Sequence, residues 1–267
     1  MVDLDIPPAT LRSVQTDPRF WNQIGPFGGW LAAQAFHALA ADVPPGWAPR
    51  ALHVQFLGAV AAGAFDVDVR EVRRQRSVWA RSARLMQGGP PAVTAEAVFA
   101  PARPDGLVHA APRPAWPDPL QRRRWRGLQE LAAFVDAFDY RLVLGPPFEG
   151  AAQADTGGWL RLDGSKSAPD LPDLLLLADA WFPALWTTLD APVPVTTVSW
   201  HVMFHDTAPP PAGGHGFIAA RHRADVAADG WGHERGELWW PDGRLALQAQ
   251  QLVWVDARKA HRRHPAP

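Results

Sequence analysis

An apolar, helix-length segment followed by four strand-like runs, with no helix between the runs, occurs twice along this chain, and that order constrains the fold more than any other feature. In the first occurrence Gly28-Gly29 opens Trp30–Ala40, an alanine-rich stretch of strong helix formers stopped by Pro44-Pro45. The runs Ala51–Leu57, Phe65–Val72, Val78–Met86 and Ala92–Phe99 follow, the last two joined by the turn cluster Gly88-Gly89-Pro90-Pro91. In the second occurrence the pattern predicts a helix over Pro172–Leu189, capped by Asp170 or Asp173, and then strands Val195–Phe204, Phe217–Asp225, Gly232–Trp240 and Arg244–Val255. Pro241-Asp242-Gly243 reads as the hairpin between the last two. Parallel strands would need a crossover helix for each pair, so this order excludes a βαβ sheet. It implies an α+β chain in which an antiparallel sheet curls around an apolar helix, and the echo of Ser77–Leu85 in Gly230–Leu238 points to a duplication.

Between the two occurrences the composition changes. Residues 101–135 carry prolines at 101, 104, 112, 114, 117 and 119 and the basic run Arg122–Arg126, which reads as a linker with a short helix near Leu128–Val135. Strand candidates Tyr140–Leu144 and Trp159–Leu162 follow. The expected division is an N-terminal repeat over 1–100, the linker over 101–135, a C-terminal repeat over 136–257, and a disordered basic tail over 258–267. A formal charge of -1 gives no overall pull toward nucleic acid or an anionic membrane. The start, MVDLDIPP, lacks the features of a signal peptide, and the most apolar window, Leu174–Trp186, is too short to span a bilayer. A soluble, cytoplasmic protein is expected.

Within that frame two residues are anomalous. Asp179 is the one charge in Leu174–Trp186, a segment apolar on every side and therefore buried; burial raises a carboxylate's pKa toward the range of a general base. Pro183, lacking an N–H, would leave the carbonyl of residue 179 free beside that carboxylate. Gln251 is the one polar member of the alternating face Leu245, Leu247, Ala249, Gln251, Val253, Val255. Each has a purely architectural alternative, an Asp bonded to its neighbours for register or a Gln bonded across the sheet. Simple alternation in the strand at 195–204 turns Thr196, not Thr197, toward the apolar side.

Phe27-Gly28-Gly29 opening a helix, Leu52-His53-Val54-Gln55-Phe56-Leu57, Leu177-Ala178-Asp179-Ala180, Thr196-Thr197-Val198 with Phe204-His205, Gly236-Glu237-Leu238, Asp242-Gly243-Arg244-Leu245 and Gln251 occur in an order that resembles the thioesterase II type of acyl-CoA thioesterase. The resemblance implies a double hotdog: two repeats, each a long central helix wrapped by an antiparallel sheet, packed as an internal pseudo-dimer. It implies hydrolysis of an acyl-CoA-type thioester by a water held by a helix Asp, a strand Thr and a strand Gln, here Asp179, Thr197 and Gln251, with no cofactor or metal. A bulge would reconcile Thr197 with the strand phase. Ala33 stands opposite Asp179 in the first helix, so one centre per chain is expected, and Trp30 replaces the Gln that often follows the paired glycines. The alternative is a non-catalytic binder of acyl or other hydrophobic ligands.

Other chemistries lack their residues. Absent cysteines exclude a thiol nucleophile, and no Gly-x-Ser-x-Gly elbow, phosphate loop or dinucleotide fingerprint occurs. His201 and His205 lie four apart on a strand, roughly 13 Å, too far to share a metal. Ala184 takes the place where a hotdog hydratase would carry its His. The arginines at 73, 74, 76 and 122–126 could meet CoA phosphates, although solvated loop arginines explain them as well. Most of the 14 tryptophans fall on the predicted helices and strands and are expected to fill the core and line an acyl tunnel, which argues against an exposed carbohydrate-binding row.

Overall fold

The computed structural model describes residues 10–103, 105–107, 109–210 and 215–256; the basic tail lies outside them. The alanine-rich segment forms α1 (Gly28–Ala40), whose residues are buried except at Gly28, Gln34, His37 and Ala40, as a helix apolar nearly all round must be. The second helix, α2 (Leu171–Ala180), starts where Asp170 accepts the Asp173 N–H at 2.8 Å, with Pro172 in its first turn.

The second helix is shorter than the sequence pattern predicts. It has ten residues and ends at Ala180, so the expected continuous helix to Leu189 does not form. Trp181 is extended (φ -67, ψ 144), and a 3₁₀ turn over Ala184–Thr188 follows Pro183. The proline ring biases Phe182 away from the α region, and its missing N–H cannot continue the ladder. The apolar run carries through the break because both sides of it are buried, which is why periodicity alone overruns it.

Eleven strands form one sheet: β1 (Thr10–Gln15), β2 (Trp47–Phe56), β3 (Ala64–Arg74), β4 (Trp79–Met86), β5 (Val93–Pro101), β6 (Phe138–Leu144), β7 (Ala154–Leu162), β8 (Val195–Phe204), β9 (Ile218–Ala228), β10 (Trp231–Trp239) and β11 (Leu245–Val255). Their order is β1-β3-β4-β5-β2-β8-β11-β10-β9-β7-β6, and every pairing is antiparallel. The four strands after α1 lie in the order β3-β4-β5-β2 and the four after α2 in the order β9-β10-β11-β8, so the two sets meet at β2 and β8. Leu52 faces Val202 and Val54 faces Trp200 across that seam. β1 escapes pattern reading because it is an edge strand of sequence TLRSVQ, with little apolar surface to bury. The large antiparallel sheet with few helices is a hotdog arrangement, with α1 and α2 packed on each other inside it.

The proline-rich stretch covers the sheet's other face. The Pro117 carbonyl accepts the Trp159 indole N–H at 2.8 Å, and Trp116 packs edge-on to Trp159 over the small cluster Trp159, Phe217, Ala219, Trp239 and Leu245. The short helix expected near Leu128–Val135 is a 3₁₀ turn shifted to Ala133–Ala137, and another forms at Pro119–Gln121. Trp30, Trp79, Trp159, Trp181, Trp200, Trp239 and Trp240 are buried, whereas Trp231 is exposed. No helix among the described residues is long and apolar enough to cross a membrane.

Phe36 ties α1 to both strand sets: its ring stacks on Phe99 of β5 at 6.3 Å and on Phe204 of β8 at 5.5 Å between centroids. Phe36→Ala should lower unfolding free energy by about 3–5 kcal/mol in urea denaturation, because the gap opens between two rigid strands and cannot collapse. A loss below about 1 kcal/mol would show that this contact does not join the two sets.

Candidate active site

The first four N–H groups of a helix have no partner within it, and α1 has no side-chain cap of its own: its N-cap is Phe27. The partner comes from 150 residues away. Asp179 Oδ2 accepts the Gly29 N–H at 2.6 Å. Gly28 and Gly29 have ordinary negative φ, so their lack of side chains serves space and not backbone conformation. A Cβ on Gly28 would lie 3.0 Å from Asp179 Oδ2 and 3.1 Å from the Phe56 ring. One on Gly29 would lie 2.7 Å from Phe27, 2.8 Å from the Asp179 Cβ and 3.1 Å from the Leu175 carbonyl oxygen. The missing side chains of the glycine pair thus admit α2 itself.

The other carboxylate oxygen, Oδ1, accepts Gln251 Nε2 at 2.9 Å. An ionised carboxylate only accepts, so the amide must turn its NH₂ toward Asp179 and its oxygen away. That oxygen, Oε1, accepts the Thr197 hydroxyl at 3.1 Å. Asp179, Gln251 and Thr197 therefore form one directed chain running from strand β8 through β11 to the open end of α1. Strand phase is corrected by a bulge: the β8–β11 register shifts between Leu252 and Val253, pairing Leu252 with Ser199 and Val253 with Thr197, so Val198 is the extra residue. Thr197 turns inward and Thr196 is exposed.

Asp179 sits among protein atoms yet keeps part of its surface accessible. Burial pushes its pKa up to about 6, outweighing the Gly29 and Gln251 hydrogen bonds that pull it down. Two further polar side chains that pattern reading did not single out line the same interior. The Tyr140 hydroxyl donates to the Ala180 carbonyl at 2.7 Å, at the end of α2. Glu234, 4 % exposed on β10, is pushed up to about 7, first by burial and in smaller part by the nearby Asp179 charge. Glu234 had the signal that marked Gln251: it is the one polar member of the stripe Gly232, Glu234, Gly236, Leu238.

Other candidates fall away from this point. His201 lies beside His53 on β2, whose Nε2 is 2.9 Å from the Ser199 hydroxyl. No group of three or more metal-ligating side chains occurs among the described residues. Arg122 and Arg124 donate to the Leu142 and Phe138 carbonyls, and Arg74 lies over the Trp79 ring.

Comparison with known proteins bears on the whole of this arrangement. Residues 17–100 match the acyl-CoA thioesterase N-terminal domain and residues 104–255 the acyl-CoA thioesterase C-terminal domain. A search of curated proteins finds no match. Among solved structures, a protein of unknown function with a hotdog fold from Alicyclobacillus acidocaldarius is 27% identical with a TM-score of 0.84, over 94% of this chain and 96% of that one. The acyl-CoA thioesterase II TesB2 of Mycobacterium marinum is 20% identical with a TM-score of 0.70, over 95% and 96%. A tesB protein of Mycobacterium avium subspecies paratuberculosis is 18% identical with a TM-score of 0.71 over the same shares. The last two likenesses are of fold.

The close approach at Gly29 can be tested directly. Gly29→Ala should destabilise the protein by about 1–3 kcal/mol through overpacking against Phe27 and Asp179. Gly58→Ala, whose Cβ meets nothing nearer than 3.9 Å, should stay within about 0.5 kcal/mol. Equal urea midpoints for the two variants would contradict the contact.

Proposed function

The chain belongs to the acyl-CoA thioesterase family, and from that premise we propose that it hydrolyses acyl-CoA-type thioesters with Asp179 as general base. The observation that carries the proposal is the directed chain Thr197–Gln251–Asp179 ending at the N-terminus of α1. Each Asp179 oxygen holds one hydrogen bond and keeps a second acceptor site. A water donating to Oδ1 and to the Thr197 oxygen would have its lone pair directed at a thioester carbonyl carbon. As the carbon–oxygen bond forms, its proton passes to Asp179 and the carbonyl electrons move to oxygen. Collapse of that oxyanion breaks the carbon–sulfur bond and releases the thiol, which recovers the proton. Gly28, as the first residue of α1, has an N–H that no helix carbonyl can accept, and it lies next to Asp179 Oδ2. We assign to it, with the positive end of the helix, the stabilisation of the developing oxyanion.

The same proposal includes a duplicated architecture. The matching strand orders β3-β4-β5-β2 and β9-β10-β11-β8, each following a helix, support a double hotdog packed as an internal pseudo-dimer, with repeats at 1–100 and 136–257 about a linker. Its substrates are thioesters with an apolar acyl group, met in the cytoplasm.

Asp179 must be ionised to take a proton, and its pKa stands at about 6, so kcat/KM should be lost as the pH falls through about 6. Asp179→Asn should lower kcat on butyryl-, octanoyl- and palmitoyl-CoA by about 100-fold or more, with the melting profile unchanged. Free thiol released by this variant at the wild-type rate would refute the base assignment. Wild-type protein that binds these thioesters without releasing thiol would instead be a binder.

A further inference from the structure

Asp179 is the penultimate residue of a helix that stops abruptly, and something must hold the chain where it leaves. The Ala180 carbonyl is held by Tyr140. Four residues on, Glu234 Oε2 accepts the Ala184 N–H and Oε1 the Leu185 N–H, both at 3.1 Å. These are the first two N–H groups of the 3₁₀ turn after Pro183. Nothing but Trp181, Phe182 and Pro183 separates the two anchors.

The strand is built for this contact. Gly232, two residues before Glu234, has no side chain where Leu185 lies: a Cβ there would be 2.7 Å from Leu185 Cδ1. The turn is thereby brought against β10, within reach of the carboxylate. Glu234 also pairs directly with Gln251 in the β10–β11 register, and both side chains face the interior. One cross-strand pair therefore grips α2 twice: Gln251 at the Asp179 carboxylate, and Glu234 at the backbone five residues later.

Resting on the Asp179 reading above, we propose that Glu234 is a positioning residue for the Asp179 base, its carboxylate bridging β10 to the Ala184 and Leu185 N–H groups so that the end of α2 keeps Asp179 on Gln251 and Gly29. It touches no reacting atom. A carboxylate satisfies two N–H donors; an amide presents an NH₂, and a protonated acid an O–H, in place of one acceptor oxygen, and that group opposes one of the two donors. The groups around it are few. β9 presents Ala224 across from it, β11 presents Gln251, the turn presents Ala184 and Leu185, and α2 contributes Asp179, the one charge acting on it. Two further buried titratable side chains stay neutral: Tyr140 is pushed up by burial and by Asp179, and His222 is pushed down to about 4 by burial. Asp179 and Glu234 thus titrate as an interacting pair near neutrality, and both must be ionised for full activity.

Steady-state hydrolysis of butyryl-, octanoyl- and palmitoyl-CoA by wild type, Glu234→Gln and Asp179→Asn, from about pH 5 to about pH 9, tests this. Misplacing a catalytic group by about 1 Å can cost about 100-fold, so Glu234→Gln should lower kcat by about 10- to 100-fold with KM within about threefold. The acid limb of log kcat/KM should approach a slope of about two in wild type and about one in Glu234→Gln, which a merely architectural residue would not produce. A folded Glu234→Gln with wild-type kcat and limb, beside an inactive Asp179→Asn, overturns the positioning role and leaves the base standing. An active Asp179→Asn removes both. Should Glu234→Gln fail to fold, the wild-type limb decides: a slope of about two supports the role and a slope of about one overturns it.

Discussion

The hydrogen bond from the Gly29 N–H to Asp179 joins two otherwise separate problems. α1 begins without a side-chain cap, and α2 carries a carboxylate into an apolar interior; each defect answers the other. The arrangement needs the helices to touch at their ends, which the missing side chains of Gly28 and Gly29 allow and Phe27, Phe56 and Leu175 enforce. The sheet then has to deliver Gln251 to the remaining oxygen, and it does so because β11 lies next to β8 at the seam, where the Val198 bulge turns Thr197 toward the same point.

Electrostatically the site is a balance struck close to neutrality. Two hydrogen bonds and a helix N-terminus favour the Asp179 anion, yet the surrounding protein wins and its pKa rises to about 6. A fully solvated carboxylate would be too weak a base, and one buried without donors would stay protonated at working pH. Glu234 lies further along the same scale, at about 7, since it is more enclosed and feels Asp179 as well. The interior therefore holds its negative charge on Asp179 first, where a second charge nearby is resisted.

How much of this is legible in sequence depends on whether a residue breaks a pattern locally. Asp179 and Gln251 do: each interrupts an apolar helix or stripe, and the structure joins them by a hydrogen bond. Glu234 breaks its stripe in the same way, but the glycines at 232 and 236 dilute that stripe and His233 and Arg235 beside it make a charged, exposed-looking run. The inward turn of Thr197 depends on a bulge, a feature of pairing between strands that one strand's alternation cannot contain. The overrun of α2 to Leu189 has the opposite cause: leucine, tryptophan and alanine continue across the break, because a buried helix and a buried extended segment ask for the same composition. Edge strand β1 is invisible for want of apolar residues.

The two helices differ in how their starts are closed. α1 carries no carboxylate, and Ala33, the residue expected opposite Asp179, is buried at 2 % exposure with no polar group to offer. Among the described residues the start of α2 takes no side-chain cap from α1. It is closed from its own side by Asp170, which accepts the Asp173 N–H, and Pro172 removes one of the donors a ligand could have used. A local cap and a distant one compete for the same N–H groups, so with the Asp173 N–H held by Asp170 and none on Pro172, α2 has fewer free donors at its start than α1. The asymmetry lies in the caps, and it leaves the start of α1 the more open of the two.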